Sequence, residues 1–207
     1  MNHERPILRD IPNRFASERL LIRTPLPGDG GAVHEAIQES RAELAPWMPW
    51  VSEHGSAEDT EAWVREAHAR FLTRRDLPFL VFRRDDGTFV GGSGLHRIDW
   101  LVPRFEIGYW VRTSQTGRGL ATEAASRIAD FAFQALQAER VEIWCDARNE
   151  RSASVARRSG FALEARLVRS RRDSAGELDD ELCFARFAVP ASGSVDGQPA
   201  ESAGSTS

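Results

Sequence analysis

The chain has 207 residues, 41% of them hydrophobic and 28% charged, with a formal net charge of −4. That profile fits one globular domain able to bury a core without disulfide or metal staples, and the acidic balance argues against a broad nucleic-acid-binding face. All 27 basic residues are arginine, which excludes every motif built on a lysine, including the phosphate loop ending GK[ST] and a Schiff-base amine.

In chain order, residues 19–23 read as a short first strand. Residues 29–40 have helical spacing, with Val33, Ile37 and Leu44 on one face. Pro46, Trp47, Met48, Pro49 and Trp50 form a proline-broken aromatic segment. Ser56 to Asp59 resembles a capping box and opens a helix to about Arg75. Residues 79–82 read as a strand, Asp86-Gly87 as a hairpin turn, and Phe89-Val90 as the return strand. Residues 105–111 form another strand. Leu120, Ala124, Ile128, Phe131 and Ala135 recur on one face of a long helix. A strand at 141–145, a helix at 151–158 closed by Gly160, and a hairpin of 161–168 with 182–189 complete the pattern. The order is β-α-α-β-β-β-α-β-α-β-β, a mixed α/β (α+β) domain. It spans residues 14–189, between a loosely ordered start at 1–13 and a small-residue tail at 190–207 that reads as disordered.

Cys145 and Cys183 lie in apolar strand-like runs and make no disulfide framework. Residues 1–15 hold no signal-peptide core, and no apolar run nears the roughly 18 residues that span a bilayer. A cytoplasmic protein without membrane attachment is expected. The five histidines have no paired metal-ligand spacing, so no metal is expected.

The strongest chemical signal is residues 115–122, between a strand and the long helix. The first N–H groups of a helix have no internal partners and, with the dipole, favour an anion. Gly117 and Gly119 let the backbone approach a ligand, and Arg118 adds a planar cation suited to phosphate. The fragment alone supports equally an anion site and a glycine-rich turn that merely starts a helix. A dinucleotide-binding unit is a weak fit. The third glycine is absent, the loop falls past mid-chain, and the strands before it are joined by hairpins.

The wider string Phe105-Glu106-Ile107-Gly108-Tyr109-Trp110-Val111, then Gly117-Arg118-Gly119-Leu120-Ala121-Thr122-Glu123-Ala124, resembles the GCN5-related N-acetyltransferase (GNAT) superfamily. It is similar to the branch of RimJ and RimL, the ribosomal-protein acetyltransferases. Asn149-Glu150-Arg151-Ser152 with Ser159-Gly160-Phe161 resembles that branch's second motif, and Pro46-Trp47-Met48-Pro49-Trp50 is a further match. The resemblance covers about residues 14–189. It implies the GNAT fold, a mixed central sheet of about seven strands flanked by helices, and acetyl-CoA as co-substrate. Its pyrophosphate would lie on Thr116, Gly117, Arg118, Gly119, Leu120, Ala121 and Thr122, with Asn149 nearby. Thr116 stands where the family has Gln or Arg, so backbone donors carry the phosphates. Main-chain groups near Trp110 and Val111 would pair with the pantetheine arm, and an N–H there would bind the thioester oxygen.

The resemblance further implies direct attack by an amine, with Glu106 as general base and Ser152 as the acid that protonates the thiolate. The plainer alternatives are a salt-bridged strand glutamate, with Arg104 or Arg112 as partner, and a helix N-terminal serine. A glutamate early in the last hairpin is also proposed as base in RimL-like enzymes, and its approximate counterpart here is Arg171. Tyr109 falls on the opposite face from Glu106, in a core or hydrogen-bonded role. His96 ends a strand beside the cleft and is a candidate acceptor contact. Trp47 and Trp50 either line the acceptor pocket or pack. The arginines at 157, 158, 166, 169, 171 and 172 read as solvated surface, or else grip the coenzyme's 3′-phosphate, an acidic protein or ribosomal RNA. The acceptor is expected to be a ribosomal or other protein N-terminus. A small-molecule amine acetyltransferase and a catalytically weak acyl-CoA-binding regulatory module are the alternatives. Family analogy allows a homodimer, which nothing in the sequence establishes.

Overall fold

The computed structural model describes residues 5–173 and 176–188. The expected tail at 190–207 and the Ser174-Ala175 tip of the last hairpin lie outside the described residues. The strands are β1 (Arg14–Ala16), β2 (Leu20–Arg23), β3 (Leu77–Arg83), β4 (Phe89–Asp99), β5 (Arg104–Val111), β6 (Arg140–Asp146), β7 (Ala162–Arg172) and β8 (Leu178–Phe187). The helices are α1 (Gly30–Leu44), α2 (Ala57–Thr73), α3 (Leu120–Ala135) and α4 (Glu150–Arg158). Each expected element is present. The addition is β1, a three-residue edge strand beside β2 that is too short to leave a periodic signal. It is held by Phe15, whose ring stacks on Phe131 of α3 at 4.2 Å. Ile11 is buried, and residues 6–8 form a 3-10 turn.

Local chemistry fixes the helix ends. Ser56 accepts a bond from the Asp59 N–H at 3.0 Å, and the Asp59 carboxylate accepts one from the Ser56 N–H at 3.0 Å. The expected capping box is therefore complete and satisfies donors the helix cannot. Asp29 precedes α1 without capping it; its carboxylate instead holds the Arg23 guanidinium with two bonds of 2.6 and 2.7 Å. Gly160 follows α4 at φ +82°, a left-handed position suited to glycine.

The eight strands form one sheet in the order β1-β2-β3-β4-β5-β6-β8-β7. All pairs are antiparallel except β5 with β6, which are parallel. That pair holds only at Arg104–Arg140, Phe105–Val141 and Glu106–Glu142. Beyond it β5 continues along β4 as far as Val111, and β6 continues along β8 as far as Asp146. The two central strands therefore part after three residues and leave a wedge-shaped gap.

Helices cover both faces. Leu120, Ala124, Ile128 and Phe131 of α3 bury against Phe79, Leu95, Phe105, Ile107, Val141 and Ile143. On the other face Val33 and Ile37 of α1 and Val64 of α2 meet Leu80, Phe89 and Trp110. Among the described residues no helix is long and apolar enough to cross a membrane.

Ile128 is fully buried at the centre of α3. Ile128→Ala is expected to cost about 2–5 kcal/mol in urea denaturation. Gln134→Ala, on the exposed face of the same helix, is expected to stay within about 0.5 kcal/mol.

Candidate active site

The gap between β5 and β6 is bounded at its open end by the loop that starts α3. After Val111 the chain is pinned to α1. Arg112 donates to Glu39 at 2.9 Å and to Glu35 at 3.0 Å, the Ser114 N–H donates to Glu39 at 2.7 Å, and the Thr113 N–H donates to Ser40 Oγ at 2.9 Å. The Arg112 guanidinium pulls the Glu39 carboxyl down to about 2, so this anchor is fully ionised near neutrality. A 3-10 turn at Thr113–Gln115 follows, closed by the Thr116 hydroxyl on the Thr113 carbonyl at 2.8 Å.

Gly117 and Gly119 then take φ of +74° and +75°. No atom lies within 4 Å of where a Gly117 Cβ would stand, so the backbone conformation, not space, requires glycine there. Gly119 is the residue before α3 and has no side chain to cap it. Among the described residues the N–H groups of Gly117, Arg118 and Gly119 donate to no protein acceptor, and the first-turn N–H groups of Leu120, Ala121 and Thr122 are free by helix geometry. Their outward dipoles make a cradle for an anion.

Glu123 stands in the first turn of α3, where it would repel a phosphate. It is neutralised by Arg19, whose Nε and N–H reach it at 2.6 and 2.9 Å, and by the Ser17 hydroxyl at 2.6 Å. Burial works against the Glu123 carboxylate, yet these bonds together hold its pKa below the ordinary value. Arg118 makes no ion pair among the described residues. It lines an open cleft of about 400 Å³ with Arg19, Arg83 and Arg84. Thr122 couples two helices rather than capping one: its hydroxyl accepts from Arg158 at 3.4 Å, and its carbonyl from the Ser159 hydroxyl at 3.3 Å.

At the closed end of the gap stands Glu106. Its Cα partners are His96 on β4 and Glu142 on β6, so all three side chains share the face covered by α1 and α2. The Glu106 side chain is only 17% exposed and pairs with Arg97 at 3.1 Å, not with the neighbours expected from sequence. Arg104 is exposed, and Arg112 belongs to α1. Burial raises the Glu106 pKa, Arg97 and His96 oppose the rise, and Glu142 and Glu181 add to it. Strand alternation would put Arg97 on the opposite face from His96. A bulge between His96 and Asp99, with Arg97 at φ +45°, turns it toward Glu106.

The same face carries three groups that sequence reading did not assign. Glu142 accepts from Arg140 and from Trp144 Nε1 at 2.7 Å. Glu181 comes from β8, opposite Asp146 of β6, and so supplies a hairpin carboxylate where sequence matching had pointed to Arg171. Asp76, from the α2–β3 connection, binds His96 Nδ1 at 2.8 Å. Glu142 and Glu181 are placed only by the parallel β5–β6 register and the β6–β8 pairing, and Asp76 by the antiparallel β3–β4 register. The aromatic wall beside them is Trp50, His54, Trp63 and Trp110, with Trp50 and Trp110 centroids 6.0 Å apart. Trp47 makes no ring contact with this wall.

Ser152 and Tyr109 lie on the opposite face, where α4 closes the gap. The Asn149 side chain caps α4 by accepting the Ser152 N–H at 3.0 Å. That cap fixes Ser152 so that its Oγ and the Tyr109 hydroxyl are 2.8 Å apart. Burial pushes the Tyr109 pKa up to about 12, with the Ser152 bond acting against it. Both hydroxyls therefore hold their protons near neutrality. The expected hydrogen-bonded role for Tyr109 holds, and its partner is the candidate acid. Among the described residues no group of three or more His, Cys, Asp or Glu is placed to hold a metal.

The description "Acetyltransferase (GNAT) domain" matches residues 19–162. Ribosomal-protein-serine acetyltransferase of Escherichia coli (strain K12) is 29% identical over 151 residues, spanning 72% of this chain and 82% of that protein. The structure of Mycobacterium smegmatis RimJ in complex with CoA-disulfide is similar with a TM-score of 0.74 at 28% identity, covering 82% of each chain. The structure of RimL, a ribosomal L7/L12 alpha-N-protein acetyltransferase, in complex with coenzyme A shares the fold. Its TM-score is 0.77 at 23% identity, with 86% of this chain and 97% of that chain covered.

If the backbone of the loop carries coenzyme A, Gly119→Val should lower its affinity by about tenfold or more in calorimetry, because a side chain in the left-handed region costs about 1–2 kcal/mol and 1.4 kcal/mol is tenfold. Thr116→Ala should change it by less than about threefold, the scale of a partial exposed bond. With its loop, its parted central strands and a family match across most of its length, the chain belongs to the GNAT acetyltransferases and is an acetyl-CoA-dependent N-acetyltransferase.

Proposed function

We propose that the acceptor is a protein N-terminal α-amine and that Glu106 is a general base for its attack. The observation that carries this reading is the position of Glu106. It is a buried carboxylate with a raised pKa at the point where β5 leaves β6, beside an aromatic-walled face open to an acceptor. The coenzyme supplies an electrophilic thioester carbonyl. The protein supplies an anion cradle at residues 117–122, strand edges along Ile107 to Val111 for the arm, and hydroxyls at Tyr109 and Ser152 to protonate a leaving thiolate. An α-amine with a pKa of about 7.7–8.0 is partly unprotonated near neutrality, whereas a lysine side chain near 10.4 is not. Modest bases suit the first acceptor better. Carboxylates at 76, 106, 142 and 181 also favour the approach of an ammonium group. By their names the Escherichia coli relative acts on a ribosomal protein and RimL on a protein alpha-N group, which supports the same class.

The test is intact-mass analysis of free-N-terminus peptides, N-blocked lysine peptides and spermidine after incubation with acetyl-CoA. Acetylation of the free N-termini, with little on the others, is expected. Transfer only to spermidine or to lysine would replace this acceptor class, and transfer to no amine would favour a binding module. Glu106→Gln is expected to lower kcat by about 10²–10⁴-fold while coenzyme affinity stays the same. The active form of Glu106 is ionised, so the wild-type rate should fall as pH drops through its raised pKa. That acidic limb should flatten in the variant, and an unchanged limb would remove Glu106 from this role.

A further inference from the structure

The His96–Asp76 pair stands beside Glu106 with its own built seat. The His96 ring lies over Gly94 of β4 and Gly108 of β5. A Cβ at Gly94 would stand 2.8 Å from ring Cε1 and 2.9 Å from Nε2, and one at Gly108 would stand 3.1 Å from Cδ2 and 3.2 Å from Nε2. Neither glycine is among the positive-φ positions of the chain. Their missing side chains therefore make room for the ring, and at Gly94 also for the Leu77 carbonyl oxygen, which a Cβ would approach to 3.0 Å. Nδ1 is tied to the Asp76 carboxylate at 2.8 Å. A carboxylate only accepts, so Nδ1 carries a hydrogen, and in the neutral ring Nε2 carries the lone pair. Among the described residues Nε2 has no hydrogen-bond partner. It faces the stretch of β5 that has already left β6, two residues beyond Glu106.

The proton balance of the reaction calls for two acceptors. An ammonium acceptor and a thioester give an amide, a thiol and one free proton. The nitrogen loses two protons, the carbon–sulfur bond breaks as the carbon–nitrogen bond forms, and the thiolate takes one proton from the Tyr109–Ser152 pair. The first proton leaves an ammonium of pKa about 8, for which an imidazole, ordinarily about 6.5, is a better base than a carboxylate, ordinarily about 4.3. The second leaves a nitrogen made far more acidic by its new bond to carbon, and a carboxylate suffices.

We propose that His96, oriented by Asp76, is a second catalytic residue that removes the first proton from the acceptor ammonium at Nε2, leaving the second to Glu106. This inference rests on the amine-acetylating reading given above. The charged groups facing the pair are Asp76 on Nδ1, Arg70 of α2 at 3.9 Å from Asp76, Glu106 from β5, and Arg97 next to His96 on β4. Arg97 pairs with Glu106, which leaves Asp76 as the carboxylate that orients the imidazole.

The experiment is kcat/KM against pH for wild type, His96→Gln, Asp76→Asn and the double variant, on the best amine the wild type accepts. Coenzyme A affinity is measured in parallel as a check on folding. His96→Gln should lower kcat/KM about 10²-fold at pH 7. The deficit should shrink about tenfold per pH unit until the amine titrates, because the acceptor then arrives unprotonated. An acceptor whose amine is already unprotonated at pH 7, such as methoxyamine, should narrow the deficit in the same way. Asp76→Asn should fall in the same direction, and the double variant should be no slower than His96→Gln. A deficit equal at pH 7 and 9, no deficit, or fully additive losses would overturn the proposal. Wild-type failure on every amine would instead remove the acceptor reading itself.

Discussion

Three paired residues hold β5 against β6, and everything in the site follows from where that pairing stops. Each strand is fully committed on its other side, β5 to β4 and β6 to β8. The outward edges of both are therefore left without a strand partner past Glu106 and Glu142. An unpaired main-chain edge inside a sheet is unfavourable unless something accepts its hydrogen bonds. We propose that the extended arm of the coenzyme is the occupant, pairing with that edge like an added strand. The wedge is kept open structurally. Arg112 ties its far end to α1, while Tyr109 and Ser152 tie β5 to α4 across it.

The net charge of −4 conceals a division along β5. The loop end carries Arg118 and the arginines at 19, 83 and 84 against Glu18 and Asp85, which pairs with Arg83, together with free N–H groups. The closed end carries carboxylates at 76, 106, 142 and 181. We propose that an anionic coenzyme and a cationic acceptor use opposite ends of this one strand and meet where the strands part. Glu123 is the one acidic residue in the first turn of α3, and Arg19 cancels it. Arg97, like Arg140 on Glu142 and Arg70 near Asp76, is a cation set into the acidic end, where it opposes the rise that burial gives the Glu106 pKa.

What could be read in the sequence was local. The loop glycines, the capping box and the apolar stripe of α3 depend on residues a few positions apart, and each behaves as its spacing implies. What could not be read depended on register or on broken alternation. Glu142 and Glu181 join Glu106 only through strand pairings set by distant contacts. Arg97 reaches Glu106 through a bulge that reverses its side. Asp76 lies 20 residues from His96. Gly94 and Gly108 look like ordinary strand glycines until the ring over them is seen. β1 was missed because three residues carry no period. Arg166 and Arg158, part of the basic run, are engaged with Asp180 and with Ser154 and Thr122, which is how a structural surface uses them.

The most direct test of the account is the crystal structure of the protein with a non-transferable acetyl-CoA analogue. The account predicts pyrophosphate on the N–H groups of residues 117–122, the arm along Ile107 to Val111, and the carbonyl carbon beside Glu106 and His96. Coenzyme bound with its arm outside the β5–β6 gap, or with its carbonyl on the face away from Glu106, would contradict it.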